Sequence, residues 1–238
     1  MGRDPGPSRV QESTGASGSS VPGVHRSRPR PIRGTQSPSS RSRGRSRDRE
    51  RRHLVTGSFR YLGEDPIFEG YIIKVSNGRF EAPDGTLFER DIVRHPGAVS
   101  VVPYHGDGTV TMVRQYRAAL DMLLLEIPAG KRDIADEEPV LTAHRELAEE
   151  VGLRAGRMEP LVEFVNSAGF TDEYSHVFLG TDLTEVERDV QGVEEENLTI
   201  ERIHLDDVPA MIADHRLLDI KSIIGLTLLI GRLGAGGV

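Results

Sequence analysis

The chain contains no cysteine, which excludes disulfides and thiolate metal sites alike. No apolar run approaches the roughly 20 residues that a membrane-spanning helix requires. The amino terminus also lacks the short apolar core of a secretory signal. A cytoplasmic protein is the expectation. Residues 1–53 hold few large apolar side chains too, being mainly Gly, Ser, Pro and Arg. Such a stretch cannot offset the entropy of ordering and is predicted to be a disordered tail. It contains no aromatic residue on which a base would stack, so its Arg-rich run 41–52 favours a dispensable extension over a nucleic-acid arm.

Charge divides the chain in the same place. Residues 1–53 hold thirteen arginines against four acidic residues, a net of +9, so in a chain of net −7 the remainder carries −16. Of the 238 residues, those beyond the tail suffice for one domain with a proper core.

The most informative stretch is EIPAGKRDIADEEPVLTAHRELAEEVGL, residues 126–153. Leu141, Leu147, Ala148 and Val151 recur at helical spacing, with Pro139 near the start and Gly152 near the end. The opposite face carries Glu146, Glu149 and Glu150 at i, i+3 and i+4, exposed carboxylates that repel one another. A hard divalent cation, Mg2+ or Mn2+, turns that repulsion into attraction. Arg145 can pair with Glu149 at i+4. The same spacing also suits a plain solvated face, but the preceding loop favours a metal cradle. Met122 to Leu125 reads as a strand, and the turn Pro128-Ala129-Gly130 leads from it towards the acidic helix.

The region before it is β-rich. Ser58 to Leu62 and Phe68 to Val75 have strand character, separated by Glu64-Asp65-Pro66. Asn77-Gly78 and Pro83-Asp84-Gly85 are turn signals. Phe88 to Arg94, Ala98 to Tyr104 and Thr109 to Tyr116 follow as strands, with His95-Pro96-Gly97 breaking the first from the second. Later, Leu198 to Leu205 alternates as a strand and Asp206-Asp207 marks a helix start. Residues 219–230 are strongly apolar, with Ile220, Ile223, Ile224, Thr227 and Leu228 on one side. Glu194-Glu195-Glu196 reads as a solvated connection, with a contribution to metal binding as the alternative.

The run Arg145-Glu146-Leu147-Ala148-Glu149-Glu150-Val151-Gly152-Leu153 resembles the second half of the Nudix hydrolase signature. Glu137 stands at the signature's first Glu, and Gly130 lies one residue too early, so the loop is lengthened by one. Three further stretches resemble the ADP-ribose pyrophosphatases: Arg114-Gln115-Tyr116-Arg117, Glu126-Ile127-Pro128-Ala129-Gly130 and Gly169-Phe170-Thr171-Asp172-Glu173.

This resemblance implies an α+β fold, an α/β/α sandwich with a mixed sheet over residues 97–238. An amino-terminal antiparallel β-sheet over residues 54–96 would be exchanged across a homodimer. It further implies an Mg2+-dependent diphosphatase acting on a small nucleotide sugar, ADP-ribose foremost, with AMP and ribose 5-phosphate as products. The metal ligands would be Glu146, Glu149, Glu150 and the Ala129 carbonyl, with Arg145 orienting the glutamates. Glu173, on a mobile loop, would act as base, with Asp172 as the neighbour able to replace it. Arg117 is the first choice to grip the diphosphate, Arg94 the second, with Glu126 as a further substrate contact and Arg114 in a structural pair. With no Trp in the chain, adenine stacking falls to Phe68, Tyr71 or Phe88.

One departure bears on substrate. ADP-ribose pyrophosphatases commonly carry Pro where this chain has Ala168, which keeps another nucleotide sugar in view. A nucleotide sensor without activity is the remaining alternative, and the intact ligand set argues against it.

Overall fold

The computed structural model describes residues 58–190 and 192–236. The tail expected over residues 1–53 lies outside them. An antiparallel meander comes first, formed by β1 (Arg60–Glu69), β2 (Lys74–Glu81) and β3 (Leu87–Arg94). Its turns differ from the sequence reading. Glu64-Asp65-Pro66 does not turn: β1 runs through it as an edge strand, with register slips at Tyr61/Gly63 and Pro66/Phe68 that accommodate the proline. The chain reverses instead at residues 70–73, where the Gly70 N–H donates to the Ile73 carbonyl at 2.8 Å. The expected strand from Phe68 to Val75 is therefore broken in its middle.

Asn77-Gly78 is no turn either. It lies inside β2, paired to β1 and β3 on its two sides. Packing requires the glycine there, because a Cβ at Gly78 would come within 2.4 Å of the Ile92 side chain and 3.0 Å of the Phe80 ring. The turn at Pro83-Asp84-Gly85 holds as expected. Gly85 has φ +85°, and Asp84 accepts a hydrogen bond from the Thr86 N–H at 2.9 Å.

The part of the chain after β3 is built on two sheets. In the first, β4 (Ala98–Pro103) pairs parallel with β9 (Tyr174–Glu185) and antiparallel with the short β7 (Ala129–Lys131), while β8 (Leu153–Val165) borders β9. In the second, β5 (Thr109–Arg117) lies between β6 (Met122–Glu126) and β10 (Thr199–His204). Residues of β4 alternate between two cores, as period-2 side chains must. Val99 and Val101 join Ala143, Leu147 and Val151 of helix α1 (Pro139–Val151). Val102 faces the other way, into a core with Leu226 and Leu229 of the carboxy-terminal helix. Helices thus cover both faces of the strands, giving the α/β/α arrangement.

Helix α1 ends as its sequence dictates. Pro139 sits in the first turn, and Gly152 closes the helix in the left-handed conformation, φ 66°. Two short helices, α2 (Val193–Glu196) and α3 (Val208–Ala213), precede the long α4 (Ile220–Gly234). The buried row of α4 is Ser222, Gly225, Leu226 and Leu229, not the Ile220–Leu228 stripe. Gly225 sets this face, since a Cβ there would stand 2.9 Å from Val102 Cγ2 and 3.3 Å from Val177. Only the glycine lets the helix lie this close to the sheet.

Candidate active site

The acidic helix and the loop before it meet at Gly130. A Cβ on Gly130 would lie 1.9 Å from the carboxyl carbon of Glu146, so the strand backbone packs directly on that carboxylate and no side chain fits between. On the next turn, the Glu150 carboxylate accepts the Ala129 N–H at 2.8 Å. These carboxylates are not on a solvated face: Glu146 is 8% exposed and Glu150 3%. Burial pushes Glu150 up to about 8 and Glu146 up to about 7, and the neighbouring acidic side chains add to the rise.

Arg145 gathers the rest. Its Nη1 donates to Glu146 at 2.9 Å and to Glu149 at 3.0 Å, while Nη2 reaches Glu137 at 3.3 Å. The i+4 pair expected from sequence is present, and Glu137 at the end of the lengthened loop completes the clamp. Among the described residues no three acidic or histidine side chains converge on one metal-binding point. The guanidinium holds Glu146 and Glu149, and the polypeptide holds Glu150. The donor set still suits a hard divalent cation. Two carboxylates raised by burial and by mutual repulsion, despite Arg145 and the Ala129 N–H, would be further stabilised as anions by a bound cation.

A cleft of about 1110 Å3 opens over this face and is lined by Gly130, Glu146, Glu149 and Glu150 on one side. Glu173 and Asn166 line it from the loop joining β8 to β9. The Glu173 backbone N–H donates to Thr171 Oγ1 at 3.2 Å, and its carboxylate makes no hydrogen bond among the described residues, which leaves it open to the cleft. Asp172 is occupied: it accepts the His95 N–H at 2.9 Å and Arg94 Nη1 at 3.0 Å.

The two arginines expected on the diphosphate both pair with carboxylates. Arg117 forks onto Glu126 through Nε at 2.7 Å and Nη2 at 2.6 Å. Glu126, 1% exposed, also receives Lys221, which bonds Asp219 as well at 2.9 Å. Burial alone would raise the Glu126 carboxyl, but Arg117 and Lys221 outweigh it and hold it below the usual range. Arg117, Glu126 and Lys221 all line the cleft, so this network forms its wall. Arg94 lines a smaller neighbouring cavity, with its guanidinium on Glu64 and Asp172. Arg114 makes the structural pair expected of it, with Nη2 on Glu201 at 3.1 Å.

Of the three aromatic candidates, Tyr71 alone lines the cleft, and it is fully exposed. The Phe88 ring stacks on Phe80 at 5.3 Å, and Phe68 lies over Gly70. Glu195, read from sequence as part of a solvated run, sits on α2 at the cleft wall, and its charge adds to the rise at Glu150. Lys221 carries no local signal; chain folding alone brings it to the cleft.

A mixed sheet between helices, a glycine loop packed on a glutamate helix and a cleft above them define a class of protein. The NUDIX domain family matches residues 94–221, and the chain belongs to that family as a Nudix hydrolase. The chain is 37% identical over 162 residues to a methanol dehydrogenase activator of Bacillus methanolicus, spanning 68% of this chain and 87% of that protein. An ADP-ribose pyrophosphatase of Bacillus subtilis is 36% identical over 161 residues, spanning 68% and 86%. A crystal structure of an ADP compounds hydrolase has the same fold, with TM-score 0.67 at 20% identity, covering 77% of this chain and 98% of that one.

Proposed function

We propose that the protein hydrolyses the diphosphate bond of a nucleoside diphosphate sugar with Mg2+, splitting ADP-ribose into AMP and ribose 5-phosphate. One observation carries this reading: Glu146, Glu150, the Ala129-Gly130 backbone and Glu173 all line one cleft. A divalent ion bound there would neutralise the diphosphate and lower the pKa of a bound water. Glu146 and Glu150, assisted by Glu149 and the Ala129 carbonyl, are its ligands, and Arg145 orients them. Glu173 takes the proton of the attacking water as the water oxygen bonds to one phosphorus and the bridging P–O bond breaks. Tyr71 is the platform for the adenine ring. Mn2+ is the natural substitute for Mg2+.

The working form is a homodimer in the cytoplasm, joined through the amino-terminal sheet of the 54–96 region. Phe59, Ile67 and Leu87 on that sheet are each more than 60% exposed, which supports burial against a second copy.

The test is hydrolysis of a nucleotide-sugar panel by the purified protein with Mg2+, with products identified by mass spectrometry. AMP and ribose 5-phosphate from ADP-ribose, abolished by EDTA, are the expected result. Failure to turn over any diphosphate sugar sinks the reading. Ala168 favours a second reading with the same chemistry on another nucleotide sugar, and faster turnover of that substrate in the panel would establish it.

A further inference from the structure

Glu173 stands on a loop that the rest of the molecule holds at both ends. On its amino-terminal side, the last residues of β3 form a short parallel bridge with the loop, Val93 against Thr171. The Val93 N–H donates to the Phe170 carbonyl at 2.7 Å, and the Asp172 N–H returns to the Val93 carbonyl at 3.2 Å. On its carboxy-terminal side, Gly97 passes so close that a Cβ there would stand 3.1 Å from the Tyr174 carbonyl oxygen, and its φ of +96° suits glycine alone. The junction between β3 and β4 thus grips residues 170–174 on either side of Glu173.

A charged chain reinforces the grip. Both oxygens of Asp172 are taken, one by the His95 N–H at 2.9 Å and one by Arg94 Nη1 at 3.0 Å. The other edge of the Arg94 guanidinium lies on Glu64 of β1, with Nε 3.1 Å from Oε2. A planar fork bridging two carboxylates fixes both in direction as well as distance. The three side chains are about a quarter to a third exposed, 32% for Arg94, 27% for Glu64 and 24% for Asp172, so solvent screens them only in part. Arg94 lines the smaller cavity bounded by Tyr71, Lys74, Lys131 and Arg132, away from the buried glutamates.

We propose that Arg94 is a positioning residue: by tying Asp172 to Glu64 it makes the amino-terminal sheet the anchor that fixes where the neighbouring Glu173 carboxylate stands in the cleft. The inference rests on Glu173 being the base in the reaction proposed above. The sheet then has a part in catalysis besides any contact with a second copy. A base displaced by about 1 Å loses up to roughly 10²-fold in rate, so the anchor has a measurable effect.

The experiment measures kcat and KM for the preferred nucleotide sugar, with Mg2+, in full-length Arg94→Met, Arg94→Lys and Asp172→Asn, each also combined with Glu173→Gln. Arg94→Met should lower kcat by roughly 10- to 100-fold while KM moves by less than about 3-fold. Arg94→Lys, able to meet one carboxylate but not both, should fall between Arg94→Met and the native protein. In the Glu173→Gln background neither Arg94→Met nor Asp172→Asn should slow the enzyme further, because both act through the group already removed. Asp172→Asn alone should reproduce the fall in kcat, which keeps the test available if Arg94→Met does not fold.

A raised KM at unchanged kcat would show Arg94 touching substrate and overturn the proposal. An equal loss in the Glu173→Gln background would overturn it too. Native kcat in Arg94→Met, with Glu173→Gln slow, removes the anchor and leaves the base in place. Native kcat in Glu173→Gln overturns both.

Discussion

Arg117 and Glu126 lie nine residues apart and meet across the β5–β6 hairpin through two parallel N–H···O bonds. The family resemblance places both at the substrate, Arg117 because a planar guanidinium can fork onto phosphate oxygens. The structure gives the arginine fork to a carboxylate that is 1% exposed and would otherwise rely on Lys221. Arg117→Met should therefore destabilise the fold by about 1–3 kcal/mol, the cost of leaving a buried charged acceptor short of a donor. Urea unfolding measures it. An unchanged midpoint together with a large rise in KM would mean that the arginine serves the substrate instead. Other residues were legible to different degrees. The Arg145–Glu149 pair follows from i+4 spacing, whereas Lys221 reaches Glu126 from 95 residues away and leaves no local trace. The choice of Tyr71 over Phe68 and Phe88 depended on where the 70–73 turn points, which composition does not encode.

At the scale of elements, helix α1 was readable because its apolar period, its proline and its closing glycine agree. Helix α4 was found but misphased. Its residues are apolar on nearly every side, so hydrophobicity does not choose a face, and the closest approach is made by a residue without a side chain. Gly225→Ala tests this. Alanine gains about 1 kcal/mol over glycine in a helix interior, yet its Cβ would stand 2.9 Å from Val102 in a packed strand. The expected net is destabilisation by about 1–3 kcal/mol. Gly231→Ala, with nothing within 4 Å, is the control and should stabilise by up to about 1 kcal/mol. Thermal unfolding of both separates the effects, and a Gly225→Ala protein as stable as the native one would show that the contact is not tight. The strands of the amino-terminal sheet were misdivided for a related reason. Asn77-Gly78 has turn composition, but Phe80 and Ile92 both pack over the glycine where its Cβ would be. Short-range chemistry proposes turns, and cross-strand packing decides between them.

For the whole molecule, the mixed sheet between helices and the amino-terminal antiparallel sheet are what the signature and its flanking motifs imply, and the family match extends over residues 94–221. What the signature does not encode is how the amino-terminal sheet relates to the reaction. Its exposed apolar side chains suit a second copy, and Leu87→Asp should yield a monomer in light scattering if the Leu87 side of that sheet is the dimer contact. A dimer that survives the change places the contact elsewhere. The central claim concerns the buried glutamate pair of α1. Glu150→Gln keeps the shape of the side chain and an oxygen for the Ala129 N–H, so stability should stay within about 1 kcal/mol of native. The decisive measurement is the rate of ADP-ribose hydrolysis as Mg2+ is titrated into the native protein and Glu150→Gln. A saturable Mg2+-dependent rate that vanishes in the variant is the expected result. Substantial Mg2+-dependent turnover by folded Glu150→Gln would contradict the ligand assignment on which the account stands.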